Sequence, residues 1–230
     1  VLDAPFLFKN SAEVDAVHKS MDEDFRKIVE SKGYVLLGWT EVGFVHIFTN
    51  VPIKSQEDLK NVKMWMWEGD PIAEAAFREI GVNPVPLSIT DVMTSLQTGL
   101  VNAIYGSPLS VVALQWYAKT KYMLSMPIAN ASGAVLVSKK IFDTLSPEQK
   151  QIIIKAGERH FKALTAVSRK DNDKSVLTLK KEGIAVTDLL PETAAKFEAA
   201  GIKARKSLAG RLYPAEMLDK AEKIVLQTRA

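Results

Sequence analysis

Residues 55–108 read SQEDLKNVKMWMWEGDPIAEAAFREIGVNPVPLSITDVMTSLQTGLVNAIYGSP, and three changes of hydrophobic period are packed into this stretch. Val62–Trp67 is an apolar run of strand length. Asp70 and Pro71 then open a helix: Asp accepts from orphan N–H groups, and Pro at the first helical position has no N–H to lose. Ile72, Ala75, Ala76 and Ile80 keep helical spacing, and Gly81 supplies a left-handed stop. Val82–Pro86 has strand character. Ser88 or Thr90 caps a second helix that carries Val92, Met93 and Leu96 on one face and ends at Gly99. Leu100–Tyr105 is the third strand. The order strand, helix, strand, helix, strand with short connections predicts a βαβαβ unit, hence a parallel sheet with right-handed crossovers. Ligands on such sheets sit at the carboxyl ends of the strands. Those ends are Trp65 to Gly69, Pro86 to Ile89 and Tyr105 to Pro108.

Outward from this unit, Ser11 is the expected N-cap of a helix striped by Val14, Val17, Met21, Phe25, Ile28 and Val29 and stopped by Gly33. Strands are expected at Tyr34–Trp39, Phe44–Asn50, Tyr122–Met126 and Gly133–Val137, with a helix from Pro108 to near Tyr122. Ser55 and Asp58 have the spacing of a capping box. Ser146, Pro147 and Gln149 make a strong helix start, and no breaker follows until Gly183. A coiled coil would need sustained heptads there, and they are missing. Ala185–Asp188 is a short strand. Pro191 and Pro214 each start a further helix.

Composition bounds the function. The 230 residues are 47% hydrophobic and 25% charged, which is enough for a real core. The net charge of +3 is small, and no basic cluster alternates with aromatics, so nucleic-acid binding is not expected. The chain has no cysteine, which removes disulfides, thiolate metal sites and cysteine nucleophiles. No apolar run reaches membrane-spanning length. His18, His46 and His160 show no metal-ligand spacing, and no metal or cofactor is expected. No nucleophile elbow or phosphate loop occurs, and Ser88 and Ser107 have no placed histidine and acid partners, so catalysis has no positive support.

The organising stretch also carries a resemblance. DLKNVKMWMW is similar to the DLKGLKIRV strand of TRAP-transporter solute-binding proteins of the DctP type. GVNPVPLSITDVMTSLQTGLVNA is similar to their GANPVPMPFSEVYTALQTGVVDG, with Leu96, Gln97, Thr98 and Gly99 at the matching place. LGWTEVGFVHIFTN resembles their WxxNGFRxFTN, and LSPEQKQII the start of their long helix. The resemblance implies an α/β, two-lobed receptor that closes on a small organic molecule and hands it to a membrane permease. It implies residues 1–43 and 131–170 in lobe I, 44–130 and 184–230 in lobe II, and a helix over 146–183 lying across both. It further implies a periplasmic monomer, not itself membrane-spanning, with a signal peptide in its precursor and no enzymatic activity. The family's first βαβ portion, about a quarter of its chain, has no counterpart before the APFLF at Ala4–Phe8. Two other classes stay open: a sensory ligand-binding protein of the same fold, and an α/β enzyme.

The resemblance also points to site residues. The family's carboxylate-binding Arg in KIRV falls on Trp65, the Arg of NGFR on Val45, the Asn of QENP on Gly106 and the Phe of PFSEV on Ile89. Charge-assisted hydrogen bonds contribute about 1.5–3 kcal/mol each, so the lost arginine argues against a standard dicarboxylate unless Lys63 or another cation stands in. Trp65 is expected to line a flatter, more apolar cleft, with Tyr105 adding a hydroxyl and Phe44 beside Val45. Trp67 reads as core and Asp70 as a helix cap. Glu68 and Trp39 read equally as cleft or structural residues.

Overall fold

One strand of 16 residues, β1 (Tyr34–Thr49), is built into both halves of the molecule described by the computed structural model, which covers residues 1–229. The sequence suggests two strands here, broken near Thr40. The chain instead stays extended and absorbs the change of direction in two bulges, at Leu36/Gly38 and Glu41/Gly43. Along its first three-quarters β1 pairs antiparallel with β6 (Ala129–Ser138), from Tyr34 opposite Ser138 to Val45 opposite Ala129. Its last residues enter a second sheet, between β4 (Ala103–Gly106) and β5 (Tyr122–Leu124), antiparallel to both.

The βαβαβ unit is present: β2 (Trp65–Trp67), α2 (Pro71–Glu79), β3 (Val85–Leu87), α3 (Val92–Thr98) and β4. β2 pairs parallel with β3 and touches β4 through one parallel bridge, Met64 to Ala103. The sheet is mixed, not all parallel, because β1 runs against β4 and β5, while β7 (Ala185–Thr187) runs parallel to β5. Asp70 caps α2 as its sequence position predicts, Oδ1 accepting from the Ile72 and Ala73 amides. Gly81 and Gly99 take positive φ at the helix ends. α3 differs from expectation: a 3-10 turn at Ile89–Asp91 precedes it, and neither Ser88 nor Thr90 caps its backbone. The expected helix to Tyr122 stops early. It forms α4 (Pro108–Ala113), then Gln115 takes positive φ and a 3-10 turn covers Trp116–Lys119.

Strand alternation feeds two cores on opposite faces of this sheet. Ile47, Met64 and Met66 join Phe77 of α2 and Phe197 of α7 (Pro191–Leu208). Phe48 and Trp65 join Val92, Leu96, Ile104 and Trp116. A third core lies on α1 (Ser11–Ser31), where Val14, Val17, Met21 and Phe25 pack with Leu2, Leu7, Phe8 and Leu36. Asn10, not Ser11, caps α1, accepting from the Glu13 amide. Ala221 and Val225 of α8 (Ala215–Arg229) belong to this α1 core. The expected division groups this helix with residues 44–130; its apolar stripe faces the α1 stripe, while Leu218 packs with Leu208 and Tyr213 beside Ile72 and Ala75 of α2.

After the short α5 (Lys139–Asp143), the uninterrupted span of sequence forms one helix of 35 residues, α6 (Pro147–Lys181). Ser146 and Gln149 complete its capping box. Gly157 lets the helix ride on β1, where a Cβ would lie 2.6 Å from the Leu37 carbonyl oxygen. Further along, Arg169 donates to Asp15 of α1 and to Glu41, a carboxylate only 6% exposed. Asn172 donates to the Val42 carbonyl and accepts from the Leu109 amide. Leu179 ends in the Trp65 core.

Gly43 has φ +120°, and a Cβ there would sit 2.5 Å from Asn172 Nδ2. Gly43→Ala is expected to cost about 1–3 kcal/mol in urea unfolding through backbone strain and the displaced amide. An unchanged midpoint would show that α6 does not hold this bulge. On the same strand, burial lowers the pKa of His46, whose Nδ1 lies 2.9 Å from the Leu124 carbonyl oxygen. A lowered imidazole stays neutral in the fold while the unfolded chain takes up the proton, so stability falls with pH below the ordinary value of 6.5. Urea midpoints measured from about pH 7 to about pH 5 should fall less steeply in His46→Gln than in the parent.

Candidate functional site

The carboxyl ends of β2, β3 and β4 come together as the sequence predicts, but the two tryptophans of β2 exchange roles. Trp65 is 3% exposed. Its ring stacks on Tyr105 at 5.1 Å and meets Trp116 edge-on at 5.3 Å, and its Nε1 donates to the Leu87 carbonyl at 3.0 Å. The indole expected to line the cleft is therefore a core ring with its polar atom already partnered. Trp67, expected in the core, is 53% exposed. Trp65 points to the α3 side of the sheet. The core there reaches Trp65, whereas Trp67 occupies the last paired position, opposite Leu87.

Tyr105 pins the turn that follows. Its hydroxyl donates to Asp70 Oδ2 at 2.8 Å and accepts from the Trp67 amide at 3.2 Å. Burial, with the Asp70 charge beside it, pushes the phenol pKa well above its ordinary range, so this hydroxyl stays protonated. Asp70 thus ties α2 to β4 while capping α2. Glu68, between Trp67 and Gly69, is exposed, and among the described residues its carboxylate has no ion-pair partner. Gly69 takes φ +78°, which closes the turn. Gly106 lies opposite His46, and a Cβ there would meet Ser110 Oγ at 2.9 Å, so its lack of a side chain serves the packing of α4. Ile89 is partly exposed in the 3-10 turn beyond β3.

The other predicted residues lie elsewhere. Val45 is buried in the Phe77 core. Phe44 and Trp39 pack against the α1 core, with Trp39 edge-on to Phe25 at 5.3 Å and to His18 at 5.1 Å. The buried Trp39 Nε1 has no hydrogen-bond partner among the described residues. Lys63 cannot replace the family arginine in this conformation: it sits at the opposite end of β2, where its Nζ donates to the Gly99 carbonyl.

One residue had no signal in the sequence. Asp3 accepts from the Ser132 amide at 2.9 Å, and burial, with a smaller contribution from Asp70, raises its pKa. It lines a hollow of about 310 Å3 with Phe25, Trp39, Ile72, Ser132 and Tyr213, residues from α1, the β1–β6 ribbon, α2 and the α7–α8 connection. A second hollow, of about 440 Å3, lies between α1, β1 and α6, and there Arg169 is already paired with Asp15 and Glu41. Among the described residues no group of His, Asp or Glu could hold a metal ion, and no helix is long and apolar enough to cross a membrane.

A family model described as bacterial extracellular solute-binding protein, family 7, matches residues 1–210. The chain belongs to that family. Its members are the DctP-type solute receptors of TRAP transporters, a receptor family and not an enzyme family. The 2,3-diketo-L-gulonate-binding periplasmic protein of Escherichia coli is 30% identical over 82% of this chain and 58% of that protein. The C4-dicarboxylate-binding periplasmic protein of Rhodobacter capsulatus is 23% identical over 92% of this chain and 64% of its own length. The chain thus spans less than two-thirds of these relatives. A crystal structure of a TRAP periplasmic solute-binding protein from Ochrobactrum anthropi superposes with a TM-score of 0.87 at 27% identity, covering 99% of this chain and 71% of that one. The fold is the α/β, two-lobed solute-binding fold expected from the sequence.

The exchange of roles predicts unequal stability effects. Trp65→Ala should cost about 3–5 kcal/mol by emptying a core position. Trp67→Ala should stay within about 0.5 kcal/mol of the parent. Equal losses in urea unfolding would contradict the placement of these rings.

Proposed function

We infer that the protein is a periplasmic solute receptor that holds a small organic molecule between two lobes and delivers it to a TRAP-type permease, acting as a monomer without cofactor. The observation that carries this reading is the shared mouth formed by the ends of β2, β3 and β4 in a chain of this receptor family. The β1–β6 ribbon connects that mouth to the α1 side, so a hinge between lobes falls near Gly43 and Ser132. Closure is favoured only as far as the closed form binds the solute better than the open one.

We further read the solute as something other than a simple dicarboxylate. The segments 65–71, 85–91 and 103–108 contain no Lys, Arg or His. Trp65 stands where relatives are expected to hold an arginine, and its N–H is spent on Leu87. Trp65 then acts on the ligand indirectly, by setting Tyr105 and the turn above it, while Glu68, Ile89, Tyr105 and Gly106 border the mouth. Phe44, Val45 and Trp39 shape the hinge side.

A thermal-shift comparison of C4-dicarboxylates, sugar acids, polyols and ring compounds tests this reading, because a ligand at 100 times its Kd adds about 2.7 kcal/mol to stability. Stabilisation by a compound outside the dicarboxylates is expected. Strong stabilisation by C4-dicarboxylates alone would overturn the ligand reading, and no response to any small-molecule pool would overturn the receptor reading.

A further inference from the structure

His18 of α1 sits edge-on to Trp39 at 5.1 Å, and its buried Nδ1 has no hydrogen-bond partner among the described residues. An unpartnered buried nitrogen costs stability, and a charged imidazole carries a proton on both nitrogens and needs acceptors. The ring borders the hollow of about 440 Å3 between α1, β1 and α6, in company with Asp15, Glu41 and Arg169. That hollow opens to solvent and leaves these side chains room to move.

The same three residues tie the helices together. Arg169 donates to both oxygens of Asp15, at 2.9 and 2.6 Å, and twice to Glu41, at 3.0 and 2.6 Å. The two carboxylates are not held alike. The Glu41 side chain is 5% exposed and also accepts from Asn130. The Asp15 side chain is 61% exposed and among the described residues accepts from Arg169 alone. Asp15 also lies one turn from His18 on the same helix. The charges that act on His18 are Asp15 and Asp22 of α1, Glu41 of β1 and Arg169 of α6, while Arg26, Glu158 and Lys162 line the same hollow. Asp22 is already paired with Arg26. Burial lowers the His18 pKa from 6.5 against the pull of the carboxylates, so the ring is neutral at neutral pH and charges in acid.

We propose that His18 is an acid-sensitive release for this clamp: a proton taken up by the ring sets a second cation beside Arg169, draws Asp15 onto the imidazolium and frees α1 from α6, while Arg169 stays on Glu41. Only hydrogen bonds are exchanged. With α1 released, the β1–β6 ribbon bends more easily at Gly43. That last consequence rests on the receptor reading; the release itself does not.

The test is a nuclear magnetic resonance titration of the protein from about pH 8 to about pH 5, which spans the range where histidine charges. It follows the His18 ring protons and the Arg169 side-chain N–H signals, with His18→Gln and Asp15→Asn as references. The His18 midpoint should fall below 6.5. At that midpoint the Arg169 Nη–H signals should shift to the positions they hold in Asp15→Asn, while the Nε–H signal stays in place. In His18→Gln they should not shift over the same range. Nη–H signals that hold still through the His18 titration would overturn the proposal, as would a ring that stays neutral throughout. Loss of the Nε–H signal and of the folded amide spectrum at the same midpoint would also overturn it, leaving His18 as a buried group whose charging unfolds the chain. If His18→Gln does not fold, His18→Asn supplies the same control.

Discussion

Glu41 cannot be left alone where it is. It sits at the bulge of β1, almost fully buried, and an uncompensated buried carboxylate costs several kcal/mol. Arg169 answers it from the middle of α6 and reaches Asp15 of α1 with its other nitrogens, while Asn130 of β6 donates to its second oxygen. Four elements are therefore fixed relative to one another at one point. Asn172, a turn further on, fastens the neighbouring Val42 carbonyl and the start of α4. The long helix is thus more than a strut of good helix formers; it is clamped to the strand that crosses between the two halves, at the place where that strand bends.

From this clamp the site follows. With β1 held, its last residues enter the second sheet between β4 and β5, and β4 in turn positions β2 through the Met64–Ala103 bridge. Strand alternation then decides which side chains enter which core. Met64 and Met66 go to the Phe77 side, and Trp65 goes to the Trp116 side, where its indole N–H finds the Leu87 carbonyl. The same alternation carries Trp67 beyond the covering residues. A motif read by position alone puts the chemistry at residue 65. The geometry moves the accessible ring two residues further, to the lip of the strand-end region.

The strand-end segments 65–71, 85–91 and 103–108 carry no Lys, Arg or His. Tyr105 is committed to Asp70 and the Trp67 amide, so it stiffens the site and does not offer a free hydroxyl. Lys63 points to the wrong end of its strand. What remains facing outward is the Trp67 indole, with Glu68 exposed next to it in the chain. The relatives named for 2,3-diketo-L-gulonate and C4-dicarboxylates share the frame with this chain. A frame of this kind fixes where a ligand goes; the side chains on its strand ends decide which ligand.

Local signals were legible in the sequence because they act over a few residues. The Asp70–Pro71 start, the glycine stops at 81 and 99, the capping box at Ser146 and the unbroken run to Gly183 each depend on neighbours within a turn, and each appears where it was read. The family motifs likewise identified the fold, since they lie in the βαβαβ unit that defines it. Three things depended on long-range packing and could not be read that way. One was the continuity of β1 through its bulges, supported by Arg169 and Asn172 from more than a hundred residues away. Another was the docking of α8 on α1. The last was the exposure of Trp67 against the burial of Trp65. Propensity and period determine what each segment becomes; which ring stays in contact with water is decided only when another part of the chain does or does not arrive to cover it.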